Sequence, residues 1–259
     1  MEFNTLLYEN KDGVTTITLN RPDRFNAFNN EMNYELQDAL KAVKRDDNCR
    51  VVVLTGAGKA FCSGQDLKDI AGEKRNLSES LYKRYNPIIK AMRELEKPII
   101  CKQNGVAAGA GCSLVLACDF VVADEKASLI EVFVNVGLVL DSGSSYFLPR
   151  VIGSNRAFEL ATMGSKVSST QAVSWGMINR AVPTEELDAE VQKVADYYAS
   201  APTKAIGMMK RMLNKSTTAN LDEMLQYEAY CQEIAGNSAD YKEGVTAFNE
   251  KRKPAFQGR

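Results

Sequence analysis

Two short stretches constrain this chain more than any others. "FCSGQDL" (61–67) and "AAGAGCSL" (107–114) share one form. Each follows an apolar run that reads as a buried strand, "RVVVLTGAG" and "KPIICKQNG", and each leads into a helical pattern. Elsewhere in the first half, "NTLLYENKDGVTTITLN" reads as two short strands joined by a turn, and "FVVAD" and "ASLIEV" as two more. A helix is expected from Asn30, with Met32, Leu36, Leu40 and Val43 on one face and Asn29 or Asn30 as cap. "FCSGQDLKDI" turns into a short helix, and residues 77–95 read as helical. From Ser154 onward the pattern is helical, over 154–163, 169–175, 185–200, 203–214, 220–235 and 238–251. Strands mixed with helices and then helices alone predict an α/β core with a helical C-terminal region. No internal repeat is clear in the residues themselves.

The two loops also suggest chemistry. Small residues let backbone come close to a ligand, and free N–H groups at a helix start favour negative charge. One N–H from each loop would make an oxyanion hole, each donor worth roughly 3 kcal/mol in a transition state. Either loop alone is a weak signal, since glycine and alanine before a buried helix usually mean tight strand–helix packing. Neither carries a GxxxxGK[ST] phosphate motif, and "GAG" lacks dinucleotide spacing.

Composition narrows the classes. The 259 residues are 45% hydrophobic and carry a net charge of −1, which argues against a broad nucleic-acid surface. There is no histidine, so the commonest proton shuttle at neutral pH is missing. The six cysteines form no C-x-x-C pair and read as reduced core residues, with neither a disulfide frame nor a metal site. The N-terminal residues lack a signal-peptide pattern, and no apolar run reaches the ~18 residues of a membrane span. A soluble, cytoplasmic protein without a membrane partner is expected.

Five segments, "NRPDRFNAF", "VVVLTGAGKAFCSGQDL", "KPIICKQNGVAAGAGCSLVLACD", "VGLVLDSGSSYFLPRVIG" and "SADYKEGVTAFNEKRKPAF", are spread in order along nearly the whole chain. Together they resemble the crotonase, or enoyl-CoA hydratase/isomerase, superfamily. The resemblance implies an α/β spiral of ββα repeats over 1–200 and a helical trimerisation region over 201–259. It implies an acyl-CoA thioester substrate, no separate cofactor, and assembly as a homotrimer or a dimer of trimers. It assigns the oxyanion donors to the backbone N–H groups of Gln65 and Ala110. It sets Ser63 and Asp66 near the CoA and Arg24 near its phosphates. Phe248 and Lys251 would reach a CoA held mainly by a neighbouring subunit.

The remaining question is Asp141, in "GLVLDSGSSYFLP", a carboxylate between an apolar run and small residues. Hydratases of this family use two glutamates; the matching positions here are Ser113 and Phe133, so both carboxylates are absent. Glu131 is two residues off, and in a strand it would share Phe133's face roughly 6–7 Å away. Adding water divides labour between two acids, whereas moving a double bond needs one base that takes a proton and returns it elsewhere. By resemblance Asp141 is that acid, walled by Phe133, Leu138 and Leu140, which would raise its pKa by desolvation. Tyr146 is a further candidate for the acyl pocket. The expected activity is movement of a proton or double bond on an enoyl- or ring-epoxide acyl-CoA thioester. Three alternatives remain open: Asp141 as a helix cap, hydration as the activity, and a non-catalytic RNA- or protein-binding scaffold.

Overall fold

The computed structural model describes residues 2–68 and 76–259. β1 (Leu6–Lys11) and β2 (Val14–Leu19) form an antiparallel hairpin through Asp12 and Gly13, both at positive φ. After α1 (Asn30–Arg45) the chain lays down strands in pairs: β3 (Val51–Gly56) with β4 (Ala60–Cys62), β5 (Ile99–Gln103) with β6 (Val106–Ala108), and β7 (Phe120–Asp124) with β8 (Ser128–Ile130). The first strand of each pair joins one sheet and the second joins another. With β9 (Lys166–Ser168) and β10 (Arg180–Val182), the sheets run β1-β2-β3-β5-β7-β10 and β4-β6-β8-β9 among the described residues. β2, β3, β5, β7 and β10 are parallel neighbours, as are β4, β6 and β8. This is the spiral of two-strand repeats, one turn adding a strand to each sheet.

The central strands are apolar on both faces because both faces are covered. Val52 and Leu54 of β3 and Cys101 of β5 enter the main core, with Met32, Leu36, Leu40 and Val43 of α1. Val51, Val53 and Ile100 point the other way, against Leu187, Val191, Val194 and Ala195 of a C-terminal helix described below. The α1 cap is Asn29, whose side chain accepts from Met32 N–H. All six cysteines are buried and unbridged, as the sequence implies.

Further helices complete the chain: α2 (Leu77–Ser80), α3 (Asn86–Glu94), α4 (Ala110–Ala117), α5 (Ser144–Ile152), α6 (Ser154–Met163), α7 (Ser169–Ser174), α8 (Leu187–Ser200), α9 (Thr203–Ser216), α10 (Leu221–Gly236) and α11 (Ala239–Asn249). α8 is the helix that covers the outer face of the larger sheet. α9 is tied to the core by Lys210, whose ammonium donates to Met92 O at 2.8 Å and Asp119 Oδ2 at 2.6 Å. Asp119 also receives Arg93 at 3.0 Å and Ile99 N–H at 2.9 Å, so the half-buried carboxylate is fully engaged.

Two expectations need correction, and a third lies largely outside the described residues. β9 and β10 interrupt a region that the sequence reads as helical; three residues each are too few to show a period-two pattern. The strand expected over "ASLIEV" ends at Ile130, and Val132–Val136 form a 3₁₀ helix. The helix expected after "FCSGQDL" is not reached by Lys68, where residues 66–68 form loop and turn; its remainder lies outside the described residues.

Candidate active site

The spiral brings the two glycine loops side by side at the ends of β4 and β6. Gly64 sits at φ +92°, and a Cβ added there would meet Ala108 O at 2.8 Å and Ala110 N at 3.6 Å. A Cβ on Gly111 would overlap Cys62 O, so the first turn of α4 lies directly against the first loop. Only glycine permits this approach.

The local pairing then determines which N–H groups are free. Phe28 bridges Gln65 in parallel: Phe28 N–H donates to Gly64 O at 2.7 Å and Asp66 N–H to Phe28 O at 2.9 Å. That pattern uses the residues flanking Gln65 and leaves Gln65's own N–H turned the other way. Ala110 opens α4, where the first N–H groups have no partner within the helix. Among the described residues neither N–H meets a protein acceptor. Gln65 is held by its side chain, which donates to Phe28 O at 2.8 Å and accepts from the Tyr85 hydroxyl.

Both loops open into a cavity of about 310 Å³, with Ser63, Gly64 and Gln65 on one side and Gly109 and Ala110 on the other. Phe133, Leu138, Val139 and Leu140 form an apolar wall, opposed by Leu81, Arg84 and Tyr85 from a π-helical turn over Leu81–Tyr85. Asp141 is the one carboxylate among the described lining residues. Burial pushes its pKa above the ordinary aspartate value, partly opposed by the Ser142 hydroxyl donating to Oδ1 at 2.8 Å. The helix-cap alternative is not the geometry seen: α5 is capped by Gly143 with no side-chain bond, and only the Asp141 carbonyl accepts Ser144 N–H.

The sequence signature of the enoyl-CoA hydratase/isomerase family runs through residues 9–259. The chain belongs to that family. It is 45% identical over the full length of both chains to a 1,2-epoxyphenylacetyl-CoA isomerase of Escherichia coli K12, and 39% identical, again end to end, to a probable enoyl-CoA hydratase of Rhodobacter capsulatus. The solved structure of an enoyl-CoA hydratase from Bacillus anthracis superposes with a TM-score of 0.94 at 33% identity, covering 99% of this chain and 100% of that one.

Within this crotonase frame the expected site residues divide. Gln65, Ala110, Ser63, Phe133, Leu138, Leu140 and Asp141 come together around one cavity. Arg24 is exposed beside it, its carbonyl accepting the Ser63 hydroxyl at 3.4 Å. Asp66, expected beside the CoA, instead turns inward: it is 8% exposed and pairs with Arg21 at 3.0 Å, because a buried carboxylate needs a cation. Tyr146, expected in the acyl pocket, lies outside it. Its ring lies beneath the Arg150 guanidinium at 3.7 Å and its hydroxyl meets Thr217. Phe248 and Lys251 lie at the end of α11, outside the cavity, with Phe248 83% exposed.

The sequence reading missed Tyr85, Arg84 and the placement of Glu131. Tyr85 was findable, since Leu81, Tyr85, Ile88 and Met92 recur at helical spacing and the last three are buried. Arg84 is buried with its guanidinium on Asn30 and Ser80, which no local pattern announces. Because β8 ends before it, Glu131 does not share a strand face with Phe133. It is 1% exposed and outside the cavity lining, with Oε1 2.9 Å from Ser144 Oγ in hydrogen-bond contact.

Proposed function

We propose that the chain is an acyl-CoA isomerase in which Asp141 carries a proton between two carbons of the acyl group. The observation that carries this reading is a cavity whose described lining residues include one carboxylate, opposite two main-chain N–H groups that meet no protein acceptor among the described residues. The thioester carbonyl oxygen is held by the N–H groups of Gln65 and Ala110. Asp141 removes a proton from the α-carbon, the C–H electrons enter the α-carbon–carbonyl bond, and the oxygen takes the negative charge between the two donors. With a 3-enoyl thioester the charge extends along the chain. Collapse of the enolate then draws the same proton from Asp141 to the γ-carbon, leaving a conjugated 2-enoyl thioester. The raised pKa of Asp141 suits a group that both accepts and returns a proton.

Likeness to the 1,2-epoxyphenylacetyl-CoA isomerase supports a ring-epoxide thioester as one substrate, with the same polarised carbonyl assisting ring opening. Arg24 and Ser63 would line the CoA path. Phe248 and Lys251 would contribute to the CoA of a neighbouring subunit in a homotrimer or a dimer of trimers. Hydration is less favoured, because the second nearby carboxyl, Glu131, lies outside the cavity and has no access to a water there. Nucleic acid is not part of this reading.

The test is a paired assay with one enzyme preparation. Conversion of a 3-enoyl-CoA to its 2-enoyl isomer is expected to exceed hydration of crotonyl-CoA by orders of magnitude. Hydration as fast as isomerisation would overturn the proposal.

A further inference from the structure

Behind the Asp141 loop lies a buried chain of polar groups that the reaction does not use. Glu131 Oε1 meets Ser144 Oγ at 2.9 Å, Ser144 Oγ meets Ser113 Oγ at 2.8 Å, and Ser113 Oγ reaches the carbonyl oxygen of Asp141 at 3.2 Å. Glu131, Ser113 and Ser144 are each at most 1% exposed, and Glu131 Oε2 makes no hydrogen bond of ordinary geometry.

Counting hydrogens shows what this chain requires. Three contacts in series need three hydrogens, and two hydroxyls supply only two. If Glu131 is ionised, Ser144 must donate to it and Ser113 to Ser144, so no hydrogen is left for Asp141 O. If Glu131 carries a proton on Oε1, every donor turns round: Glu131 to Ser144, Ser144 to Ser113, and Ser113 to Asp141 O. The chain ends on the carbonyl of Asp141 and not on its carboxylate, so it conveys position and no proton to the substrate. Ser113 stands in the first turn of α4, three residues after Ala110, and its alternative acceptor is Gly109 O, also at 3.2 Å.

We propose that Glu131 is a positioning residue held as a neutral acid, whose proton completes a hydroxyl chain clamping the main chain of Asp141 to the first turn of α4. The clamp therefore joins the base to the helix that carries one oxyanion donor. This rests on the functional reading above for its effect on turnover.

The surroundings suit a neutral acid. Burial, aided by the Asp141 carboxylate, pushes the Glu131 pKa up to about 7 against the opposing pull of Ser144 and Cys112. The titratable groups facing it are Cys112 of α4 and Asp141; α5 offers only serines, and β9 offers Lys166, exposed opposite Ile130. None of these is a buried cation that would hold Glu131 ionised.

The test combines an infrared titration with kinetics. The C=O stretch of a protonated buried carboxyl should fade as pH rises through about 7 in the unmutated protein, and should be missing in Glu131→Gln. An inflection in kcat for 3-enoyl-CoA at the same pH should disappear in Glu131→Gln, whose amide can always donate to Ser144. Ser113→Ala and Glu131→Leu should each lower kcat about tenfold with KM little changed, since both loosen the base and not the binding wall. Persistence of the inflection in Glu131→Gln, or no loss of kcat in Ser113→Ala, overturns the positioning role alone. A Glu131 carboxyl already ionised below neutrality overturns it without reference to turnover. Failure of the unmutated enzyme to isomerise any enoyl thioester overturns the functional reading instead, which the infrared titration distinguishes.

Discussion

Gly64→Ala should damage catalysis far more than folding. The residue sits at φ +92°, so alanine there carries about 1–3 kcal/mol of backbone strain. Its methyl would also meet Ala108 O at 2.8 Å, well inside van der Waals contact. Backbone gives way poorly, so the loops must part by about half an ångström, estimated from ordinary carbon–oxygen contact distances. That displacement separates the N–H groups of Gln65 and Ala110, and loss of one aligned donor costs about a hundredfold in kcat. Gly153→Ala is the control: it has φ +78° with nothing within 4 Å of the added Cβ, and it lies away from the cavity. Both variants should show similar losses in urea denaturation, while only Gly64→Ala loses turnover of a saturating 3-enoyl-CoA. A folded Gly64→Ala enzyme with the kcat of Gly153→Ala would refute the argument that the two loops form one site.

Two further outcomes follow from buried charges. Lys210→Met removes the ammonium that Asp119, Met92 O and Lys97 O share, and should lower unfolding free energy by about 3 kcal/mol in urea. A change below about 1 kcal/mol would mean that α9 is not anchored there. Glu131 binds its proton more tightly folded than unfolded, since its pKa rises from 4.5 to about 7. Its contribution to stability is therefore full below the unfolded value and is lost as pH climbs through that window, by about 3 kcal/mol in all. Glu131→Gln should flatten that part of the stability–pH curve, with a smaller slope of the same sign left by Asp141. An unchanged slope would contradict the burial argument.

Much of this architecture is readable from residues because local chemistry decides it. Asn29 caps α1, and the stripe of Met32, Leu36, Leu40 and Val43 sets its buried face. The paired repeats were not visible in the letters. The strands of the smaller sheet hold three residues each, and a spiral repeats in space without repeating side chains. The site divides in the same way. Gln65 and Ala110 are marked by glycine-rich loops between strand and helix, whereas the inward turn of Asp66 depends on Arg21, 45 residues away. Glu131 was misplaced because a strand's period was extended past Ile130, where the chain turns into a 3₁₀ helix. Tyr146 carries a local apolar context that suits a pocket equally well, and its contacts with Arg150 and Thr217 hold it outside.

Hydrogen exchange on the substrate tests the pairing of one acid with two amides most directly. A saturated acyl-CoA incubated with the enzyme in D₂O should incorporate deuterium at the α-carbon, followed by proton NMR. Asp141→Asn should abolish that incorporation while binding the same thioester with nearly unchanged affinity by calorimetry. Exchange that continues at the wild-type rate in Asp141→Asn would show that another group takes the proton.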